Sequence, residues 1–287
     1  MQTKNFAPTA IKFAKLQDFA VIVATCGDNE ISKALLSLQC DPAFNGVAWR
    51  RSFAKLANIF ATKKPLYKIF AKGNSKLPFY SYSVLPAVTC PGAGECLLYC
   101  YSFTAWCYPD AFARQVQNTY LQRFNSIALS QAFLALPENV TLRLYVDGDF
   151  DSSDTFDFWN QLLQFRSDIK AYGYSKSFKQ ILHSNSVANN TLAPNYVLNI
   201  SGGHNSENAT VERIKALPIT RGEFIAVNVG HKVKSSEHGT VANAKAIRDN
   251  VTCKVFPCPG KCGTCTGKGH ACGLQSLKGV TIAIAMH

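Results

Sequence analysis

Acidic residues are scarce in this 287-residue chain: 18 Asp and Glu stand against 30 Lys and Arg, a formal charge of +12. No acid occurs between Pro42 and Gly94, where Arg50, Arg51, Lys55, Lys63, Lys64, Lys68, Lys72 and Lys76 place eight positive charges. A basic stretch without counterweight predicts either nucleic-acid contact through phosphates or a merely solvated face. The interleaved Trp49, Phe53, Phe60, Tyr67 and Phe70 carry the same two readings, as stacking platforms for bases or as the core side of a helix. Long apolar runs are missing too. FAVIVATC, the most apolar early stretch, falls far short of the roughly 20 residues that cross a bilayer, so no membrane partner is expected. The opening MQTKNFAPTAIKFAK has no apolar core and no cleavage site, which predicts a soluble protein of the reducing cytoplasm. A disulfide framework is a poor explanation there for 11 cysteines.

Eight of the 11 cysteines fall into two tight sets. Cys90, Cys96, Cys100 and Cys107 lie in TCPGAGECLLYCYSFTAWC, with five, three and six residues between them. Short spacings let one loop wrap a single ion or cluster, so zinc or an iron–sulfur cluster is expected. Small buried hydrophobes are the bland alternative. Cys258, Cys262, Cys265 and Cys272 follow in CPGKCGTCTGKGHACG, with Cys253 just upstream. Glycines at 260, 263, 267, 269 and 273 let that backbone curl around a metal, either as a zinc knuckle or as an auxiliary cluster. Cys26 and Cys40 are isolated and read as structural.

Three sections are expected. Residues 1–76 form a basic, mostly helical preface, with helices at ISKALLSLQ and WRRSFAKLANIFATKK. In 77–250 apolar strands alternate with helices: a strand at 79–88, one long helix at 109–136, then the strands TLRLYVDGDF, IKAYGYSKS, NYVLNISGG and EFIAVNVG. Helices at SSDTFDFWNQLLQF, SENATVERIKAL and VANAKAIRDN separate them, with Ser152 or Ser153 placed to cap the first of these. Residues 251–287 hold the second cysteine set and a closing strand at GVTIAIAM. Strands separated by helical segments predict an α/β protein with a partial parallel β/α barrel of about six strands.

Each predicted strand ends in chemically useful residues. Cys90 follows the first, Asp147, Gly148 and Asp149 the second, Ser175 and Lys176 the third. Ser201, Gly202, Gly203 and His204 follow the fourth, and Asn228 and His231 the fifth. In a parallel sheet these ends share one edge, where ligands bind. Lys176 could meet a carboxylate or phosphate, and His204 could serve as acid, base or ligand. Asp147 and Asp149 could also hold Mg²⁺ for phosphoryl transfer, while Asp151 and Asp154 suit a helix N-terminus.

The order of strand, cysteine loop, helix, strand and acidic glycine motif resembles the radical S-adenosylmethionine barrel. Tyr99 matches the aromatic that precedes that family's third cysteine. The spacing departs from it, with five then three residues between cysteines where that family has three then two. The resemblance implies a four-iron four-sulfur cluster on Cys90, Cys96 and Cys100, with an open iron for S-adenosylmethionine if Cys107 is not a fourth ligand. Asp147, Gly148, Asp149, Ser201, Gly202, Gly203 and Asn228 would then hold the cofactor, with Asp149, Lys176 and His204 at the chemistry. Over residues 77–275, the words CPGAGEC, YVDGDFD, YGYSKS, NISGG and CGTC resemble the gene product 88 family of phages and plasmids. That resemblance supports the architecture and names no reaction.

Three functional classes follow. The leading one is a mobile-element iron–sulfur protein, radical-enzyme-like, acting on nucleic acid held by Arg50, Arg51, Lys55, Lys63, Lys64 and Lys68. The second is a metal-scaffolded DNA- or RNA-binding protein without turnover, with zinc at the C-terminal cysteines. The third is a Mg²⁺-dependent nuclease. Neither metal identity nor oligomeric state is legible in the sequence.

Overall fold

A computed structural model of the chain describes residues 10–75, 77–234, 236–263, 265–266 and 269–286. The opening nine residues, Lys76, Thr264 and Gly267, which figured in the expectations above, lie outside the described residues. Three helices come first: α1 (Ala10–Thr25), α2 (Asp28–Cys40) and α3 (Val47–Thr62). α1 had no counterpart among the helices expected by name, within a section expected to be mostly helical. In α3, Trp49, Phe53, Leu56 and Phe60 recur at helical spacing and are all buried. The aromatic residues of the basic stretch are therefore largely core, against the expected stacking role. Trp49 meets Phe44, Phe53 and Phe112 at ring distances of 5.1, 5.4 and 5.9 Å.

The long helix expected at 109–136 is two helices, α4 (Pro109–Phe124) and α5 (Ser126–Leu134). Asn125 leaves helical geometry with φ −155° and ψ 67°, and its side chain accepts from Ala128 N to start α5. Arg123, at the end of α4, donates to the Cys26 carbonyl at 2.9 Å and so ties α4 to the end of α1. Helical periodicity alone cannot show such a break, because the apolar pattern continues across it.

Seven strands lie among the described residues: β1 (Tyr80–Ser81), β2 (Thr141–Leu144), β3 (Lys170–Ser175), β4 (Tyr196–Ser201), β5 (Thr220–Val227), β6 (Val255–Pro257) and β7 (Thr281–Ala285). They form one sheet in the order β1-β2-β3-β4-β5-β7-β6, and every pair is parallel. The strand count exceeds the expected six because VFP, unread in the sequence, adds β6 at the edge beyond β7. No pairing joins β1 to β6 among the described residues, so the architecture is a mixed α/β fold on a parallel sheet, and barrel closure is not part of it. α6 (Ser153–Phe165), capped by Ser152, and α7 (Phe178–Leu182), α8 (Asn185–Ala188), α9 (Asn208–Ala216) and α10 (Val241–Asp249) connect the strands.

Side chains alternate across the sheet. Leu142, Leu144, Ala171, Leu198 and Ile200 join the large core beneath the helices. The opposite face carries a smaller cluster of Tyr172, Val197, Ala271, Cys272 and Ile282, with Phe79, Tyr174, Phe224, Cys258 and Cys265 against it. The second cysteine segment thus covers the face of the sheet that the helices leave free. No helix among the described residues is long and apolar enough to cross a membrane.

Candidate functional site at the strand ends

After β1 the chain keeps parallel contact with β2, Val84 N donating to Asp147 O at 3.1 Å, before it turns into the first cysteine loop. That loop folds across the sheet and docks on the turn after β4. Gly94 N and Cys96 N both donate to Gly203 O, at 3.1 and 3.2 Å, and Asn205 N donates to Gly92 O at 3.1 Å. Gly203 has φ +74°, and a Cβ there would lie 2.5 Å from Tyr99 Oη and 3.1 Å from Cys96 Cβ. A side chain would push the loop off its seat. Gly148, φ +79°, serves the same kind of close approach: a Cβ would meet Val84 Cγ2 at 2.2 Å.

The loop holds Cys90, Cys96 and Cys100, each half-buried. Burial pushes the Cys90 thiol up, Asp149 and Cys100 add to this, and the Ala87 amide and Lys176 oppose it. Cys100 is raised by burial, with Cys96 and Asp147 adding and Ser102 opposing. Cys107 is raised by burial. Among the described residues, no group of three or more His, Cys, Asp or Glu side chains is arranged to hold a metal ion.

The two acids are occupied. Asp149, 4% exposed, accepts from Ser175 Oγ at 2.7 Å, Lys176 N at 2.7 Å and Phe150 N at 2.8 Å. It is a joint between the ends of β2 and β3. Asp147 accepts from Gln115 Nε2 at 3.0 Å, and the hydroxyls of Ser102 and Ser83 also serve it. Burial raises both carboxyls despite these bonds. Little lone-pair capacity remains for a Mg²⁺ pair. Asp151 takes Gln122 Nε2 at 3.0 Å, and Asp154 lies in the first turn of α6.

Lys176 reaches Ser201 Oγ at 2.7 Å, and no ion pair engages it among the described residues. His204 stacks edge-on to Phe178 at 4.8 Å and accepts from Ser206 N through Nδ1. Burial, then Lys176, lowers its pKa, so the ring is neutral at neutral pH with its proton on Nε2. Pro91, Gly92, Lys176, Phe178, Asn205 and Ser206 border a cavity of about 100 Å³ beside these groups. Gly202 N continues the ladder to Phe224 O at 2.9 Å. Asn228 is exposed and spends its side-chain oxygen on Gly230 N at 2.9 Å.

In the second set, Cys272 is buried in the smaller cluster, with Cys258 and Cys265 packed against it. Burial and the neighbouring thiols push Cys258 up to about 12 and Cys272 up to about 11, with Tyr174 and Arg221 opposing at Cys272. Ala271 N donates to Cys265 Sγ at 3.2 Å, and the Tyr172 hydroxyl stands beside Cys262. The two cysteine sets flank β2 and β3, where Arg143 lies between Tyr101, next to Cys100, and Cys262. The sequence reading missed Arg143. Its signal was there: in TLRLY the charge sits between two core leucines, so alternation sends it to the face away from the helices.

On the basic section, Lys63 pairs with Asp28 at 2.9 Å, Arg51 with Asp110 at 3.5 Å, and Lys55 lies over the Tyr67 ring at 4.6 Å. Arg50, Lys64 and Lys68 are exposed.

A family model described as Gene product 88 matches residues 55–274, a span that holds both cysteine sets and β1 to β6. No curated protein and no solved structure matched the chain.

Proposed function

The chain belongs to the gene product 88 family, and for it we propose an iron–sulfur protein in which Cys90, Cys96 and Cys100 carry a four-iron four-sulfur cluster with one iron open to S-adenosylmethionine. One observation carries the reading: a single loop holds Cys90, Cys96 and Cys100 at short spacings and seats on the turn after β4, Cys96 N donating to Gly203 O at 3.2 Å. When bound and reduced, the cluster supplies an electron to the sulfonium of S-adenosylmethionine.

The chain's own residues would position that cofactor. Lys176, steadied by Ser201 and by the Asp149 bond to its backbone, would meet a carboxylate with its ammonium. Neutral His204 would donate from Nε2, and the seated Gly203 turn keeps the loop closed against water. The exposed Arg50, Lys64 and Lys68 suit phosphate contacts with a nucleic-acid substrate, and by themselves they also support binding without turnover.

The test is purification without oxygen, with iron, sulfide and zinc counted per chain and the absorption spectrum recorded before and after S-adenosylmethionine. Matched iron and sulfide with a spectral change on adding cofactor is the expected result. Cys90→Ala, Cys96→Ala and Cys100→Ala should each lose the iron, and Cys107→Ala should keep it. Zinc alone, or a cluster indifferent to the cofactor, defeats the proposal.

A further inference from the structure

Three arginines of the sheet region are shielded from water to different degrees, and two of them are fully provided for. Arg166 pairs with Asp168 at 2.7 Å and donates to the Leu134 and Leu136 carbonyls. Arg221, 0% exposed, donates to Asn199 Oδ1 and Val280 O at 2.6 Å, Glu223 O at 3.0 Å and Leu277 O at 3.3 Å. Arg143 is different. Its Nε is buried and has no hydrogen-bond partner, and Nη2 reaches only Tyr101 Oη, at a long 3.5 Å. No carboxylate pairs with it among the described residues. The guanidinium lies 4.7 Å from the Tyr174 ring centroid, and the residue as a whole is half-buried.

Among the described residues its neighbours are unmet as well. Tyr172 sits opposite Arg143 in the β2–β3 register; its hydroxyl has the Cys262 thiol beside it and no oxygen or nitrogen partner there. His270 packs 4.4 Å from the Tyr172 ring and 4.6 Å from Phe79, and its buried Nε2 finds no partner among the described residues. A guanidinium, a phenol and an imidazole that can all donate, with Asp147 near enough to feel the Arg143 charge but no carboxylate paired with it among the described residues, form a donor-rich group. Each unmet buried donor costs stability, and such costs persist where a ligand meets them. A planar guanidinium matches the paired oxygens of a carboxylate or phosphate.

We infer that Arg143, with Tyr172 and His270, forms an oxyanion site on the helix-free face of the sheet, and that the substrate carries a carboxylate or phosphate seated there. This rests on the proposed function for the identity of the reaction, and it stands by itself as a binding site. Tyr101 connects the two, since it follows Cys100 in the cysteine loop and places its hydroxyl at the guanidinium.

The test follows the ¹⁵Nε–H resonance of Arg143 in the full-length protein with its native metal complement, titrated with inorganic phosphate, adenosine monophosphate and acetate. A saturable shift is expected with at least one of these, and the strongest identifies phosphate or carboxylate as the source. Arg143→Gln should weaken the same binding, read calorimetrically, at least tenfold, while Arg213→Gln, at an exposed position of α9, leaves it unchanged. Iron per chain is measured on every sample. Binding lost at full iron content locates the defect in the oxyanion site, and low iron in the wild type speaks against the cluster instead. The inference is overturned if no probe shifts Nε saturably, or if Arg143→Gln binds as the wild type does. A resonance that ignores anions but moves when the Cys258–Cys272 set is alkylated also overturns it, because the arginine would then be the counter-charge of those thiols.

Discussion

Replacing Asp149 with alanine separates a structural joint from a catalytic acid. The carboxylate, 4% exposed, receives the Ser175 hydroxyl and the Lys176 and Phe150 amides. Its loss leaves three buried donors, each costing about 1–3 kcal/mol if unmet, and the serine hydroxyl can turn to another acceptor. Loss of a charge that burial disfavours offsets part of this, so a net destabilisation of about 2–4 kcal/mol is expected. With a urea dependence near 3 kcal/mol/M, the midpoint should fall by about 1 M. Asp149→Asn, which keeps one acceptor, should lose less. Asp154→Ala, at the exposed start of α6, should stay within about 1 kcal/mol of the wild type. The pH response has a defined sign. Because the folded pKa of Asp149 lies above the ordinary 3.8, its protonated form favours folding. That contribution is complete below the ordinary value and is lost as pH rises through the folded value, a slope that Asp149→Ala should lack. A midpoint change under about 0.2 M, with an unchanged pH slope, would refute the joint between β2 and β3.

Two further outcomes are expected. Asn125→Ala should cost about 1 kcal/mol in chemical denaturation, because it removes the cap that starts α5 while leaving the apolar faces of both helices intact; an unchanged midpoint would mean that the break between α4 and α5 does not depend on the cap. Lys64→Gln with Lys68→Gln should reduce the salt dependence of single-stranded DNA binding by up to about one unit of slope per lysine, whereas Trp49→Phe should not change it, since that ring is core. Equal slopes for the wild type and the lysine variant would remove this face as the phosphate contact.

Much of the site was legible from residue order alone. Apolar strands separated by helices require parallel crossovers, and in a parallel sheet the strands' C-terminal ends share one edge. Cys90, Asp147, Asp149, Lys176 and Ser201 were therefore placed together before any contact was known. Ser152 as a cap and the cysteine loop at a strand end follow from equally local rules. What local pattern cannot carry is the choice among partners. The acids of DGDF look free in the sequence and are bonded in the fold, and the basic residues of α3 hid an inner side that is apolar but for Ser52.

The sequence by itself determined the parallel α/β class, the two cysteine sets and the shared edge, because periodicity and chain order encode these directly. Only the tertiary structure decided that the first cysteine loop seats on the Gly203 turn, that the second cysteine segment covers the helix-free face, and that no carboxylate among the described residues pairs with Arg143. Each of these depends on which distant segments meet across the sheet: the cysteine loop onto the Gly203 turn, residues 258–272 onto β3 and β4. Burial and charge pairing arise from such meetings, and spacing along one strand of sequence holds no record of them.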